Sequence, residues 1–540
     1  MSDVVRLALA LGLLNSALTF QNRWPTAGVR WVPELSVELS ALVFVLALIV
    51  AWRGAPGRAL RGIILGGYLL LVLGRYVDVT VPALMGRSIH LYWDSQHLPG
   101  VTAMFLDRVA GWQLALGGLA LLALLSVVVV ALRWALATVM IALGRPGERR
   151  TLGALAAMLL VCYGAGRLDS QLPLAHRFAL PVTAMLVEQG RLVLEATLWR
   201  RHDRLAGQPL LPTSDLSRLR RGDLFVIFFE SYGALTFDDP RFSAPLAAER
   251  EALEQSLSAV GWRVASARVT SSTFGGGSWL AHSSLLAGLR IADQGDYQSL
   301  LTTDRPTLVS RFAAAGYRTV AIMPGLRYPW PEGQFYGFDL IYQADRLDYR
   351  GPAYGWWVIP DQYSLYRVHQ REVALNERTP LLVFFPTIDS HAPFAPLPPY
   401  RPDWRDFDAR SEAVVPSEDM ALSERLDGQE LAAAYIRSIR YNFAVLGGYL
   451  RQLAPANALV LTLGDHQPPA VVGGREISWQ VPVHVFTRDP ALIEAFTMAG
   501  FRPGLTPGPT ALGGIEALGP LLLRALDGAP TAAGIRAQGS

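Results

Sequence analysis

The chain has 540 residues, 51% of them hydrophobic and only 17% charged, with a mean hydropathy of +0.26 and a formal net charge of +3. That composition excludes a disordered chain and a purely soluble one, and the length exceeds a single compact domain. A net charge so near zero excludes a basic face that tracks a nucleic acid backbone, while a pI near 9.0 suits contact with anionic lipid. The sequence contains no lysine, so its strong cations are all arginines, and its single cysteine, Cys162, can close no internal disulfide.

In chain order, five apolar stretches come first, at about 4–20, 35–52, 62–83, 113–143 and 152–166. Each is long enough, or nearly so, to cross ~30 Å of hydrocarbon, the first and last being the shortest. Arg53, Arg58 and Arg61 fill the second connection and Arg145, Arg149 and Arg150 the fourth. Short cytoplasmic loops retain positive charge, so both connections are expected in the cytoplasm, with everything after about Gly166 on the far side of the membrane. Reading residues 1–20 as a cleaved leader would leave that later topology unchanged. Arg75 and Asp78 sit three apart near the outer end of the third stretch. They either line a headgroup path or neutralise each other at an interface, and the second reading is favoured. The aromatic, polar segment Ile89–Asp94 is a second feature of this region. Residues 183–200 are amphipathic at helical spacing and are expected to lie along the membrane as a linker. The expected plan is a transmembrane region at 1–168, an amphipathic linker at 169–220, an extracytoplasmic catalytic domain at 221–502 and a tail at 503–540.

From residue 222, β-branched and aromatic runs alternate with helical patterns: DLFVIFFES, YRTVAIMPG, PLLVFFPTIDSHAPF, ALVLTLGDHQPP and VPVHVF. This predicts an α/β domain with a mainly parallel sheet covered on both faces, whose ligands bind beyond the carboxyl ends of the strands. Polar residues follow directly on three runs: Glu230, His391, and the pair Asp465–His466. Carboxylates and an imidazole brought to one edge suit Mn²⁺, Mg²⁺ or Zn²⁺; taken singly, each is more often a cap or loop ion pair. The segment Ser271–Ala281 places three glycines and a hydroxyl, Ser278, before a helical pattern. It reads either as an anion site against the helix start or as a turn with Ser278 as N-cap. A serine hydroxyl is protonated at neutral pH, and a divalent cation beside it lowers its pKa without a dedicated base; Ser278 with Glu230, Asp465 and His466 makes four such donors. His484, inside VPVHVF, reads as structural.

In this order, Glu230, FGGGSWLA, DSHAPF and LGDHQ resemble the alkaline phosphatase superfamily, and within it the lipoteichoic acid synthase-like phosphoglycerol transferases and their sulfatase-fold relatives. The resemblance covers about residues 220–490 and extends to the five apolar stretches before an extracytoplasmic domain. It implies that Glu230, Ser278, Asp465 and His466 bind one cation, usually Mn²⁺ or Mg²⁺. It further implies that His391 contacts the phosphoryl substrate and that Trp330 stands in the substrate wall. Two departures accompany it: Ser278 replaces the usual threonine, and Glu332 occupies the place of an arginine whose charge Arg327 would supply. The Cys/Ser-x-Pro-x-Arg pattern of sulfatases is missing around Ser278, which favours phosphoryl transfer over sulfate ester hydrolysis.

The resulting expectation is a multi-pass inner-membrane enzyme with a periplasmic catalytic domain. It would move phosphoglycerol or phosphoethanolamine from a phospholipid to an envelope glycan or lipid acceptor, through a phosphoseryl intermediate on Ser278. His391 would bind or protonate, and Trp330, Arg327 and Tyr328 would shape the headgroup pocket. The alternatives are a phosphate or sulfate ester hydrolase on the same scaffold and a non-catalytic envelope scaffold; a transporter lacks the internal repeat it would need. The polar segment 395–430 reads as a solvated loop. The last ~35 residues read as loosely ordered around a short apolar helix near Gly519–Leu526.

Overall fold

A computed structural model describes residues 2–528 apart from 24–25, 86–87, 97, 100–101, 104–105, 107–108, 169–176, 199–204, 206, 327–329, 353, 355–358, 410–427 and 475–476. The chain divides into two compact units, Met1–Trp199 and Arg200–Ser540.

The first unit is helical: α1 (Asp3–Thr19), α2 (Val37–Arg53), α3 (Arg58–Met85), α4 (Leu91–Gln96), α5 (Gly111–Gly144), α6 (Pro146–Leu168) and α7 (Val182–Leu198), with a small pair of strands, β1 (Gln21–Asn22) and β2 (Val29–Arg30), after α1. Ser2 and Ser36 cap α1 and α2 by accepting from Val5 N and Leu39 N. Pro146 opens α6, where its fixed φ and missing N–H are no loss. Among the described residues three helices are long and apolar enough to cross a membrane: Arg58–Leu84, Gly111–Gly144 and Pro146–Leu168. The other two expected spans are helices of 17 residues each, α1 and α2. At 1.5 Å per residue these reach about 25 Å, short of the ~30 Å of hydrocarbon. Among the described residues, three helices are thus candidate spans by length and composition where five were expected.

Apolar side chains at helical spacing build this unit's core, among them Leu14, Val43, Leu136 and Val139. The N-terminal half of α5 instead leaves Leu119, Leu122 and Val127 about two-thirds exposed, the all-round apolar surface that suits a membrane-spanning helix. Gly74 lets α7 come close to α3, since a Cβ there would lie 2.9 Å from Val182 Cγ1. Arg75 is buried, its Nε donating to Phe20 O at 2.9 Å and its Nη1 standing 3.6 Å from Asp78. The self-neutralising reading of that pair is the one the geometry supports. In the Ile89–Asp94 segment the backbone ties to α7, with Gln189 Nε2 donating to Ile89 O and Leu91 N donating to Gln189 Oε1.

The second unit contains β3 (Leu224–Phe229), β4 (Arg263–Thr270), β5 (Arg318–Met323), β6 (Leu340–Gln343), β7 (Leu381–Pro386), β8 (Leu459–Gly464), β9 (Gln480–Thr487), β10 (Arg502–Pro503) and β11 (Ala511–Gly514). They form one sheet in the order β10-β4-β9-β8-β3-β7-β5-β6, with β11 beside β4. Strands β8, β3, β7, β5 and β6 are mutually parallel, as expected of near-continuous apolar runs buried on both faces. The sheet as a whole is mixed: β9 runs antiparallel to both β8 and β4. The chain returns from β8 to β9 through residues 465–479 without a long crossover helix, and a direct return of this kind gives an antiparallel pair. Helices α8 (Pro240–Ser258) and α10 (Gly428–Gln452) lie over one face, with Phe242 and Tyr435 in its core. Helices α9 (Ser278–Ala287) and α11 (Leu518–Leu526) lie over the other, with Leu285 and Leu522.

Residues beyond 502, assigned to a tail by sequence, are part of this sheet domain as far as α11. There Leu522, Leu523 and Leu526 are buried on the short apolar helix expected near Gly519–Leu526. The start of the 395–430 segment is likewise packed: Trp404 is buried, and Arg401 exchanges backbone hydrogen bonds with the Gln362 amide at 2.9 and 2.7 Å. Residues 410–427 of that segment lie outside the described residues.

Candidate metal and nucleophile site

Because β4 is antiparallel to β9, and β9 to β8, β4 points the same way as the parallel block. The carboxyl ends of β3, β4, β5, β7 and β8 therefore share one edge. Glu230 follows β3, the glycine loop and Ser278 follow β4, His391 follows β7, and Asp465–His466 follow β8. Gly275, Gly276 and Gly277 have φ of +65°, +144° and +77°, a run that residues with a Cβ adopt only under strain. The cap of α9 is Gly277, and Ser278 is the first helical residue, so the N-cap reading of Ser278 is corrected. Three left-handed glycines end the turn one residue earlier and free the serine side chain to face the strand ends.

Ser278 Oγ lies 3.0 Å from Glu230 Oε2 and 3.2 Å from His466 Nε2. His466 Nε2 is in turn 3.3 Å from Glu230 Oε1 and 3.6 Å from Asp465 Oδ2. Glu230, Asp465 and His466 are all buried, with ligand atoms within 4.8 Å of one another. Asp465 Oδ1 accepts from Ser231 N at 2.8 Å and His466 N at 2.6 Å. Asp465 Oδ2 is buried and accepts no hydrogen bond among the described residues. Gln467 O can only accept, so His466 Nδ1, 2.8 Å away, carries a hydrogen. Two carboxylates, an imidazole nitrogen and a hydroxyl, with one buried carboxylate oxygen unsatisfied, fit a divalent cation. The cluster could hold a metal ion.

The electrostatics agree with that fit. Burial and the neighbouring Glu230 carboxylate push Asp465 well above the usual carboxylate range. Burial acts in the same sense on Glu230, but the attraction of His466 outweighs it and holds this carboxyl below its ordinary value. His466 is raised to about 9, because Asp465 and Glu230 overcome the burial that would lower it. Without a cation, a proton on the imidazole balances the carboxylates. His282, one turn after Ser278, is lowered to about 3 by burial and packs edge-on to Phe228 and Phe384, so it stays neutral. His484 is held at both nitrogens, by Tyr232 and Ser266, in a structural role.

The structure brings Glu230, Ser278, Asp465 and His466 together. His391 stands exposed at the same edge, its Nδ1 2.7 Å from Ala392 O, close enough for its charge to act on Glu230. Trp330, beyond β5, is half-buried and stacks on Tyr336 with centroids 5.7 Å apart. Arg327 and Tyr328 lie outside the described residues.

Sequence reasoning passed over a supporting layer. Thr387, Ser390 and Ser231 hydrogen-bond Glu230, and Tyr435 and Asn442 in turn bond Ser231 and Ser390. One signal was available: polar Tyr435 and Asn442 recur seven apart on a helix whose neighbouring positions are apolar.

A Sulfatase family model matches residues 269–485, a stretch that includes Ser278, His391, Asp465 and His466 and leaves out Glu230. No curated protein matches the chain. Among solved structures, an alkaline phosphatase superfamily protein from Vibrio parahaemolyticus is 15% identical, with a TM-score of 0.33 over 49% of this chain; the match spans only 60% of that protein. The lipoteichoic acid synthase LtaP from Listeria monocytogenes is 13% identical, with a TM-score of 0.34 over 57% of this chain and 72% of its own. The lipooligosaccharide phosphoethanolamine transferase EptA from Neisseria meningitidis is 14% identical, with a TM-score of 0.44 over 96% of this chain and 95% of its own. Residues 269–485 thus match the Sulfatase family over the stretch that holds FGGGSWLA, DSHAPF and LGDHQ, in keeping with the resemblance those motifs carry.

Proposed function

We propose that the chain is a membrane-anchored transferase that moves a phosphorylated headgroup, phosphoglycerol or phosphoethanolamine, from a phospholipid to an envelope glycan or lipid acceptor. The observation that carries this reading is Ser278 Oγ, a hydroxyl at the mouth of a glycine loop, 3.0 Å from Glu230 Oε2 and 3.2 Å from His466 Nε2. Glu230, Ser278, Asp465 and His466 would hold one divalent cation, with Mn²⁺ the first choice and Mg²⁺ or Zn²⁺ the others. Bound there, it would lower the pKa of the serine hydroxyl and offset phosphoryl charge.

Ser278 Oγ attacks phosphorus in line, releasing its proton to solvent. The Oγ–P bond forms as the bond from phosphorus to the diacylglycerol oxygen breaks, and His391 protonates that oxygen. The acceptor hydroxyl then attacks the phosphoseryl group, returns a proton to His391, and Ser278 Oγ leaves and regains a proton from solvent. Free backbone N–H groups at the start of α9 would offer donors to the phosphoryl oxygens. Trp330, Arg327 and Tyr328 would shape the headgroup pocket, as the resemblance implies. In this reading the first unit crosses the inner membrane five times and the catalytic domain is periplasmic, so the lipid donor and the site share one surface.

Headgroup-labelled phospholipid, Mn²⁺ and a hydroxyl acceptor, incubated with the purified chain, test the proposal. Label should move to the acceptor as diacylglycerol accumulates, and Ser278→Ala should abolish both. Free headgroup phosphate as the sole product, whatever acceptor is supplied, would replace this reading with the hydrolase. Unchanged turnover in Ser278→Ala would reject the nucleophile.

A further inference from the structure

Glu230 has its backbone held at both ends by side chains from another segment. Its N–H donates to Thr387 Oγ1 at 3.1 Å, and its carbonyl accepts from Ser390 Oγ at 2.6 Å. The next residue, Ser231, sits in the left-handed region at φ +59°, where a residue with a Cβ is strained and needs outside support. Ser231 N donates to Asp465 Oδ1 and its Oγ to Glu230 Oε1, so this one residue bridges both carboxylates.

Two of the supporting bonds come from one helix, α10. Tyr435 Oη donates to Ser231 O at 2.8 Å, and Asn442 Nδ2 donates to Ser390 Oγ at 2.8 Å. Ser390 has already committed its hydrogen to Glu230 O, so its oxygen must accept from Asn442, which fixes which end of the Asn442 amide points inward. Tyr435 and Asn442 are seven residues apart on α10, two turns along one face, and both are buried. The 387–391 loop is also clamped from behind, its Ile388 and Asp389 N–H groups donating to the buried Asp361 carboxylate at 2.9 and 2.8 Å.

We infer that Tyr435 and Asn442 are positioning residues: α10 holds Glu230 from both sides, through Ser231 and Ser390, and thereby sets the affinity of the cation site. This rests on the cation-binding reading of Glu230, Ser278, Asp465 and His466. Neither residue touches a reacting atom, so the effect is carried by the geometry of one ligand.

The test is a Mn²⁺ titration followed by electron paramagnetic resonance on the full-length protein in detergent. Tyr435→Phe keeps the ring and removes only the hydroxyl; Asn442→Ala removes the amide. Each should weaken Mn²⁺ binding roughly ten-fold or more. Turnover should return toward that of the parent at raised Mn²⁺, a rescue that a general folding lesion would not give. Tyr435→Phe decides the case in which Asn442→Ala fails to fold. Parent-like Mn²⁺ affinity in the variants, with binding still lost in Asp465→Asn, would overturn this inference and leave the cation site standing. No Mn²⁺ binding by the parent would overturn the site and the inference together.

Discussion

Each unit buries a charged side chain, and the two are buried in opposite ways. Arg75, in the helical unit, is 1% exposed and its guanidinium reaches the carbonyls of Phe20, Thr19 and Leu180 and the Asp78 carboxylate. Asp465, at the sheet edge, is equally buried, yet one carboxylate oxygen accepts no hydrogen bond among the described residues and a second carboxylate, Glu230, lies in the same cluster. The first arrangement is complete within the protein. The second is complete only with a cation or an added proton, which is how a site differs from a strut. Burial alone does not separate the two; an unmet carboxylate oxygen in a cluster with a second carboxylate and an imidazole does.

Three changes press on that contrast, the strongest first. Asp465→Asn keeps the acceptor for Ser231 N and His466 N and removes the charge. It should lower cation affinity and turnover by about 100-fold or more, measured by Mn²⁺ titration and headgroup transfer. The same variant should melt higher than the parent in chelator, because a buried, repelled carboxylate has been neutralised. Arg75→Met should do the reverse. It leaves buried carbonyls without a donor and should cost about 1–3 kcal/mol, seen as earlier thermal unfolding, with the Mn²⁺ affinity of the folded protein unchanged. A higher melting temperature in Arg75→Met, or a lower one in Asp465→Asn, would erase the distinction.

The smallest effect is with pH. His466 is raised from its ordinary 6.5 to about 9, so below pH 9 the cation-free imidazole carries a proton that a cation must displace. Cation affinity should therefore strengthen as pH rises toward 9, by up to about ten-fold per unit for one released proton, with calorimetry in buffers of differing ionisation enthalpy reporting the release. The same shift stabilises the cation-free fold in the other direction. That contribution is full below about 6.5 and is lost as pH rises through about 9.

The sequence showed much of this because strand-end polar residues interrupt apolar runs. Glu230 after LFVIFF and Asp465–His466 after LVLTLG stand out since β3 and β8 are buried along their whole length. The antiparallel course of β9 was not legible, because VPVHVF is equally apolar in either direction. The role of residues beyond 502 was hidden as well: the four residues of β11 are too short and glycine-rich to read as a strand, and only pairing with β4 defines them. Tyr435 and Asn442 lay inside a helical pattern whose period marks a buried face but not which polar member of it bonds to a ligand loop. Arg75 was legible as a paired charge through its spacing to Asp78, whereas its carbonyl partners come from distant segments.

In the proposed mechanism Ser278 is a nucleophile set against a cation site. The most direct measurement is tandem mass spectrometry of the full-length protein, acid-quenched during turnover of headgroup-labelled phospholipid with Mn²⁺ and no acceptor. A phosphorylated headgroup on Ser278, absent in Ser278→Ala and lost when acceptor is added, is the predicted result. Turnover at the parent rate with Ser278 unmodified throughout would contradict it.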